Sequence, residues 1–220
     1  MNSVSTMQFE NLKAAFAKLK YDPNYQAPKN TVLVVSLSAP PTIQNGIWQE
    51  VNAENRVRID RAVLIGRQIA GNIYRDGGYE TEVAGGRSAA DFLPTLVVNA
   101  EAQQFYSLTE YAKIQYMRKH VVGISCGNRG EANMRTQMRA MTVYEQCHGV
   151  IYTSQHHVVF VTSLHQVPLA QYTASMIIPR NCNFTFEVVA ASDEADEKLL
   201  AAEFGKIITY AMLGHLELPE

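Results

Sequence analysis

Apolar and polar positions follow two rhythms along this chain. Phe9, Leu12, Phe16 and Leu19 recur at intervals of three and four, which predicts an amphipathic helix from Phe9 to Leu19, ended by the proline-bearing stretch YDPNYQAPKN. Thr31 to Leu37, TVLVVSL, is instead a continuous β-branched run, suited to a strand buried on both faces as in a parallel sheet. The following SAPPTIQNG reads as a loop. From Val57 the helical rhythm returns: Ile59, Ala62, Val63, Gly66, Ile69, Ala70 and Ile73 form one face until DGG at Asp76, with Arg58, Asp60 and Arg61 off that face or at its margin.

The alternation of strand and helix then repeats. Pro94 to Val98 predicts a strand, about Glu101 to Lys119 a helix, Val121 to Ser125 a strand ending in CGNRG, and Glu131 to about Gln146 a helix. His157 to Thr162 predicts a further strand, about Pro168 to Ile177 a helix, and Phe184 to Ala191 a last strand. YETEVAGGRSAADF, from Tyr79, is open between a short strand and a loop, and CHGVIYTSQ, from Cys147, between a helical extension and a small β element. In the C-terminal helix Leu200, Phe204, Ile207, Ile208 and Ala211 share one face, and SDEADE before it supplies a cap and an acidic first turn that complement the helix dipole. The fold class this predicts is α/β, a doubly wound, mostly parallel sheet flanked by helices, over a single domain at 31–220, with residues 1–30 as an extra N-terminal helix and linker.

Composition narrows the function classes. The chain has 220 residues, 47% of them hydrophobic, enough to bury one sizeable core. A formal charge of -2 argues against nucleic-acid binding through bulk charge, and the acidic residues from Glu187 onward read as a solvated face. Cys126, Cys147 and Cys182 have no metal-type spacing and suggest no disulfide framework. The N-terminus does not resemble a signal peptide and no stretch approaches eighteen consecutive apolar residues, so a cytoplasmic protein without a membrane span is expected.

In a doubly wound sheet, ligands bind beyond the carboxyl ends of the strands, where loops enter helices and free N–H groups point outward. VTSLHQVP, Val161 to Pro168, places Ser163 and His165 at such an edge, with Pro168 in the first turn of the next helix, where its missing N–H costs little. Ser163 could equally cap that helix, with His165 a packed loop residue. CGNRGEANMR, Cys126 to Arg135, offers two turn glycines, Asn128 and Asn133 as hydrogen-bonding groups, and Arg129 and Arg135 as cations. It is neither a Walker sequence nor a dinucleotide GxGxxG. No HExxH, paired-cysteine spacing or GxSxG occurs, and the adjacent His156 and His157 would point to opposite sides of a strand, so no metal site and no hydrolase nucleophile elbow are expected.

Taken in order, VLVVSL at Val32, RID at Arg58, LVVNAEA at Leu96, CGNRGEAN at Cys126 and VTSLHQVP at Val161 resemble the SanA/YdcF/ElyC-like family of bacterial proteins, from about Thr31 to Ala191. Asn99 and Ala100 stand where that family has glycines, and Pro168 near where it has an arginine. The resemblance implies a Rossmann-like sheet with a polar pocket at its carboxyl edge, drawing on Arg58, Asp60, Glu101, Asn128, Glu131, Ser163 and His165, and a small-molecule ligand that is nucleotide-like or S-adenosylmethionine-like. The expectation is a cytoplasmic binding protein, with Arg129 added to the ligand-binding set and self-association left open. The alternative is a hydrolase or transferase acting on a phosphorylated or glycosylated small molecule, with His165 as general acid or base and Glu131 or Glu101 as its partner. A third class is an interaction protein docking through its acidic C-terminal helix or its tyrosines and methionines.

Overall fold

The computed structural model of the protein describes residues 4–49, 51–77, 88–128, 133–147 and 155–218. Helix α1, Thr6–Ala17, starts earlier than the apolar rhythm suggests because Ser5 and Gln8 form a reciprocal capping box. Strand β1, Thr31–Leu37, is followed not by the expected loop alone but by an antiparallel hairpin of β2, Thr42–Gln44, and β3, Ile47–Gln49. Asn45 (φ 52°) and Gly46 (φ 76°) both turn left-handed, the conformation a two-residue hairpin turn needs, and Asn-Gly is the pair that adopts it most easily.

Helix α2, Ala53–Asp76, leads to β4, Thr95–Ala100. Helix α3, Phe105–Gln115, is shorter at both ends than the predicted helix, since the backbone carbonyl of Glu101 accepts from Gln104 and Phe105 in a turn before it and Tyr116 then takes an extended conformation. Strand β5, Val121–Ser125, precedes α4, Met134–Cys147, which begins after the predicted Glu131. Strand β6, His157–Thr162, passes through a single 3-10 turn, Leu164–Gln166, into α5, Val167–Asn181, with Pro168 in its first turn. Strand β7, Thr185–Ala190, and α6, Glu197–Met212, capped by Asp196, complete the order. Most of YETEVAGGRSAADF and of CHGVIYTSQ lies outside the described residues.

The five long strands form one sheet in the order β5-β4-β1-β6-β7, every neighbouring pair parallel. Strand alternation sends Val34, Leu96, Val98, Val159 and Val161 into one core with Ile59, Ile65 and Ile69 of α2 and Leu108 of α3. Leu33, Val35, Val97, Val158 and Phe160 enter the other core, with Leu12 of α1, Met138 and Met141 of α4, Ala170 and Ala174 of α5 and Ile207 of α6. The fold is therefore α/β, Rossmann-like and doubly wound, with an added N-terminal helix. That helix docks on α6, where Phe9 and Phe16 meet Phe204 edge-on at centroid distances of 5.5 and 5.2 Å. Among the described residues no helix is long and apolar enough to cross a membrane.

The chain runs from β1 outward through β4 to β5, then returns to the other side of β1 for β6 and β7. The connections leaving β1 and β6 thus diverge to opposite faces, and the carboxyl ends of these two neighbours mark the topological switch point.

Candidate functional site

Arg58 sits beneath this switch point. It lies beside the apolar face of α2, so the helix buries its stem, and the Cα–Cβ direction toward the helix N-terminus carries the guanidinium to the strand ends, where it is 0% exposed. Nη1 donates to the Leu37 carbonyl that ends β1 at 2.5 Å, and Nε donates to Ser163 Oγ beyond β6 at 3.0 Å. Nη2 donates to Glu54, one turn earlier on α2, and to Gln166 Oε1 at 3.2 Å. One side chain thereby ties together the ends of both switch-point strands. Ser163 does not cap the following turn; its hydroxyl accepts from Arg58 and donates to Glu54 Oε1 at 2.5 Å.

Burial alone would raise the pKa of Glu54, but the charge of Arg58 and the hydrogen bonds from Ser163 and Arg58 outweigh it and hold the carboxyl below its ordinary range. Burial likewise works against the charge on Arg58, and Glu54 works for it. Glu54 keeps 40% of its side chain exposed, so an ionised carboxylate stands at the mouth of the site.

The segment after β1 is clamped to the same helix. Asn52 caps α2 by accepting from Asn55 N at 2.8 Å and donates to the Pro40 carbonyl at 3.0 Å. Asn55 pairs with both backbone groups of Ala39, accepting at 2.7 Å and donating at 3.1 Å. This fixes the base of the hairpin. Between the hairpin and the start of α2 lies a cleft of about 430 Å³ lined by Thr42, Gln44, Gln49, Asn52, Glu54 and Arg56.

His165 occupies the turn after β6, half-buried, with Nδ1 shielded from water and without a hydrogen-bond partner among the described residues. Burial lowers its pKa; Glu54 and Glu203 pull the other way, and Arg58 and Lys206 add to the lowering. The imidazole is therefore neutral near pH 7. Glu203 comes from α6, which packs on this turn, and is only 6% exposed, with Lys206 Nζ at 3.4 Å.

The other expected site residues are distributed along or away from this edge. Glu101 is buried just beyond β4, beside Ser38, Gln104 and Gln137. Asn128 follows β5, where Gly127 (φ 142°) turns the chain and its carbonyl accepts from Ala102 N at 2.9 Å. Burial, reinforced by Glu101, pushes the thiol of Cys126 up to about 11, so it stays protonated near pH 7. Asp60 does not join Arg58: it is exposed and accepts from Tyr111 at 3.0 Å and Gln115 at 2.9 Å, on the α3 side. Arg129 and Glu131 lie outside the described residues. His157 is at the opposite end of the sheet, with Nδ1 2.8 Å from Thr185 Oγ1 and Nε2 3.1 Å from Glu187, which also accepts from Tyr25.

Comparison with protein-family models, curated proteins and solved structures finds no match for this chain. The sequence reading missed Glu54, Asn52, Asn55 and Glu203. Only Glu54 left a signal, as the carboxylate four residues before Arg58 on one helix face.

Proposed function

We propose that this protein binds a small polar molecule, nucleotide-like or S-adenosylmethionine-like, in the cleft between the hairpin and the start of α2, beyond the carboxyl end of β1, as a cytoplasmic member of the SanA/YdcF/ElyC-like group. The observation that carries this reading is the Arg58 network, which anchors an ionised, partly exposed Glu54 at the mouth of a polar cleft. A buried guanidinium with four partners is committed to the protein, so Arg58 positions and Glu54 contacts. The carboxylate accepts hydrogen bonds from ribose-type hydroxyls or faces a cationic amine or sulfonium, Gln44 and Gln49 pair with amide-like edges, and Arg56 takes an anionic end. The test is calorimetric titration with adenosine nucleotides and S-adenosylmethionine. Saturable binding that Glu54→Gln weakens about tenfold supports the reading, and no binding by any of these compounds removes it.

His165 favours a second reading, a hydrolase or transferase. A neutral imidazole at the edge of the site is poised to take a proton from water or a substrate hydroxyl. Turnover of p-nitrophenyl phosphate or a nitrophenyl glycoside that disappears in His165→Ala supports it, and equal turnover in both proteins excludes it.

A further inference from the structure

We propose that the hollow between α4, α5 and α6 is a second binding site, one that takes a small organic phosphate. It encloses about 270 Å³, at the small end of ligand pockets, and stands apart from the cleft under the hairpin. Two of its lining side chains are cationic, Arg135 from the first turn of α4 and Lys206 from α6, and His215 just beyond α6 adds an imidazole. None of the described residues lining it is acidic.

Arg135 provides the first specific observation. Its Nε–H is shielded from water and finds no acceptor among the described residues. A donor in that state costs free energy, and an oxyanion oxygen in the hollow relieves it. Lys206 provides the second: its contacts with Glu203, at 3.4 and 3.5 Å, lie at the long limit of a hydrogen bond, so the ammonium can swing to a better acceptor. The N-terminus of the 14-residue α4, where Asn133 Oδ1 accepts from Thr136 N at 3.1 Å, adds its positive dipole end to the same wall.

The wall carrying His215 is built rather than accidental. Gly214 (φ 73°) ends α6 in a left-handed turn, His215 N donates back to the Tyr210 carbonyl at 2.8 Å, and the imidazole meets the Tyr210 ring edge-on at 6.5 Å. Leu216 and Leu218 then bury into the core and hold the tail in place. Two positive charges, one of them a planar fork, favour a phosphate dianion over a single carboxylate. Leu169, Leu216 and the Tyr210 ring leave an apolar side for the organic body, of about the size of a monosaccharide.

Calorimetric titration with glucose 6-phosphate, inorganic phosphate and glucose, on the full chain and on Arg135→Gln and Lys206→Gln, tests this. Glucose 6-phosphate is expected to bind and glucose not, and each substitution to weaken binding by roughly ten- to a hundredfold with an unchanged melting temperature. Lys206→Gln, at a partly exposed position, keeps the test available should Arg135→Gln fold poorly. Absence of binding by glucose 6-phosphate overturns the proposal, as does affinity unaltered in both variants; inorganic phosphate binding alone overturns its organic part. Glu54→Gln leaves glucose 6-phosphate binding intact, and Arg135→Gln leaves phosphate-free S-adenosylmethionine binding intact, so failure at one site is told from failure at the other.

Discussion

Replacing Arg58 by methionine keeps a stem of similar length and removes the whole guanidinium network. The Leu37 carbonyl loses its partner from Nη1, Ser163 Oγ and Gln166 Oε1 each lose a donor, and Glu54 loses its counter-charge. Breaking a buried ion pair by removing one member costs about 3–5 kcal/mol. Because 40% of the Glu54 side chain reaches solvent and Ser163 still donates to it, the lower end applies, about 3 kcal/mol. For a chain of this size each kcal/mol moves the melting temperature by about 2–4 °C, which gives a fall of about 6–12 °C. Scanning calorimetry and urea denaturation measure it, with an unchanged urea slope showing that the unfolded state is not altered. Glu54→Gln also destabilises, since it strands a buried guanidinium. The double variant is expected to recover part of the loss, with a coupling above about 1 kcal/mol. A melting temperature within 2 °C of the parent for Arg58→Met, or a coupling near zero, refutes the assignment of Arg58 as the group that ties the two strand ends together.

His165 is held neutral, its pKa lowered by burial although Glu54 and Glu203 face it, with Arg58 and Lys206 adding to the lowering. Its contribution to stability is complete above the unfolded value of about 6.5 and is lost as pH falls toward the lower folded value, because the unfolded chain binds the proton first. His165→Gln is therefore expected to flatten the melting temperature against pH between about 7 and 5, as followed by differential scanning fluorimetry; an unchanged slope counts against this. On α2, a Cβ at Gly66 would come within 2.5 Å of Tyr116 Oη, which is itself held by the Pro94 carbonyl at 2.9 Å, so Gly66→Ala is expected to cost about 1–3 kcal/mol in urea denaturation. At the hairpin turn no described residue lies within 4 Å of a Cβ on Gly46, and its backbone at φ 76° is what opposes a side chain. Gly46→Ala should then cost about 1 kcal/mol locally, shifting the emission of the single tryptophan, Trp48, while the global unfolding midpoint stays in place.

The parts of the site legible in the sequence are those set by local pattern. A β-branched run ending at Thr162 marks the end of a buried strand, and the carboxyl edge of such a strand is where Ser163 and His165 stand. The Arg-Ile-Asp segment shows the limit of that reading. Positions two apart on a helix lie on nearly opposite faces, so Arg58 turns to the strand ends while Asp60 turns to Tyr111 and Gln115. The hairpin at Thr42 to Gln49 was readable from Asn-Gly alone, but its strands are three residues long and carry too little alternation to announce themselves.

By itself the sequence determined the elements and their layering: apolar runs with the period of buried strands, helices of period 3.6 between them, and hence a parallel sheet covered on both sides. Such signals are local, because they arise from backbone geometry and from which side of one element meets water. The tertiary structure alone decided the contacts that make the candidate site. Arg58 meets Ser163 across 105 positions of chain, and α6 brings Glu203 and Lys206 to the turn bearing His165. These partners are chosen by how the helices close over the strand ends, where burial gives a charge or a hydrogen bond its strength, and a linear pattern of apolar and polar positions carries no record of that choice.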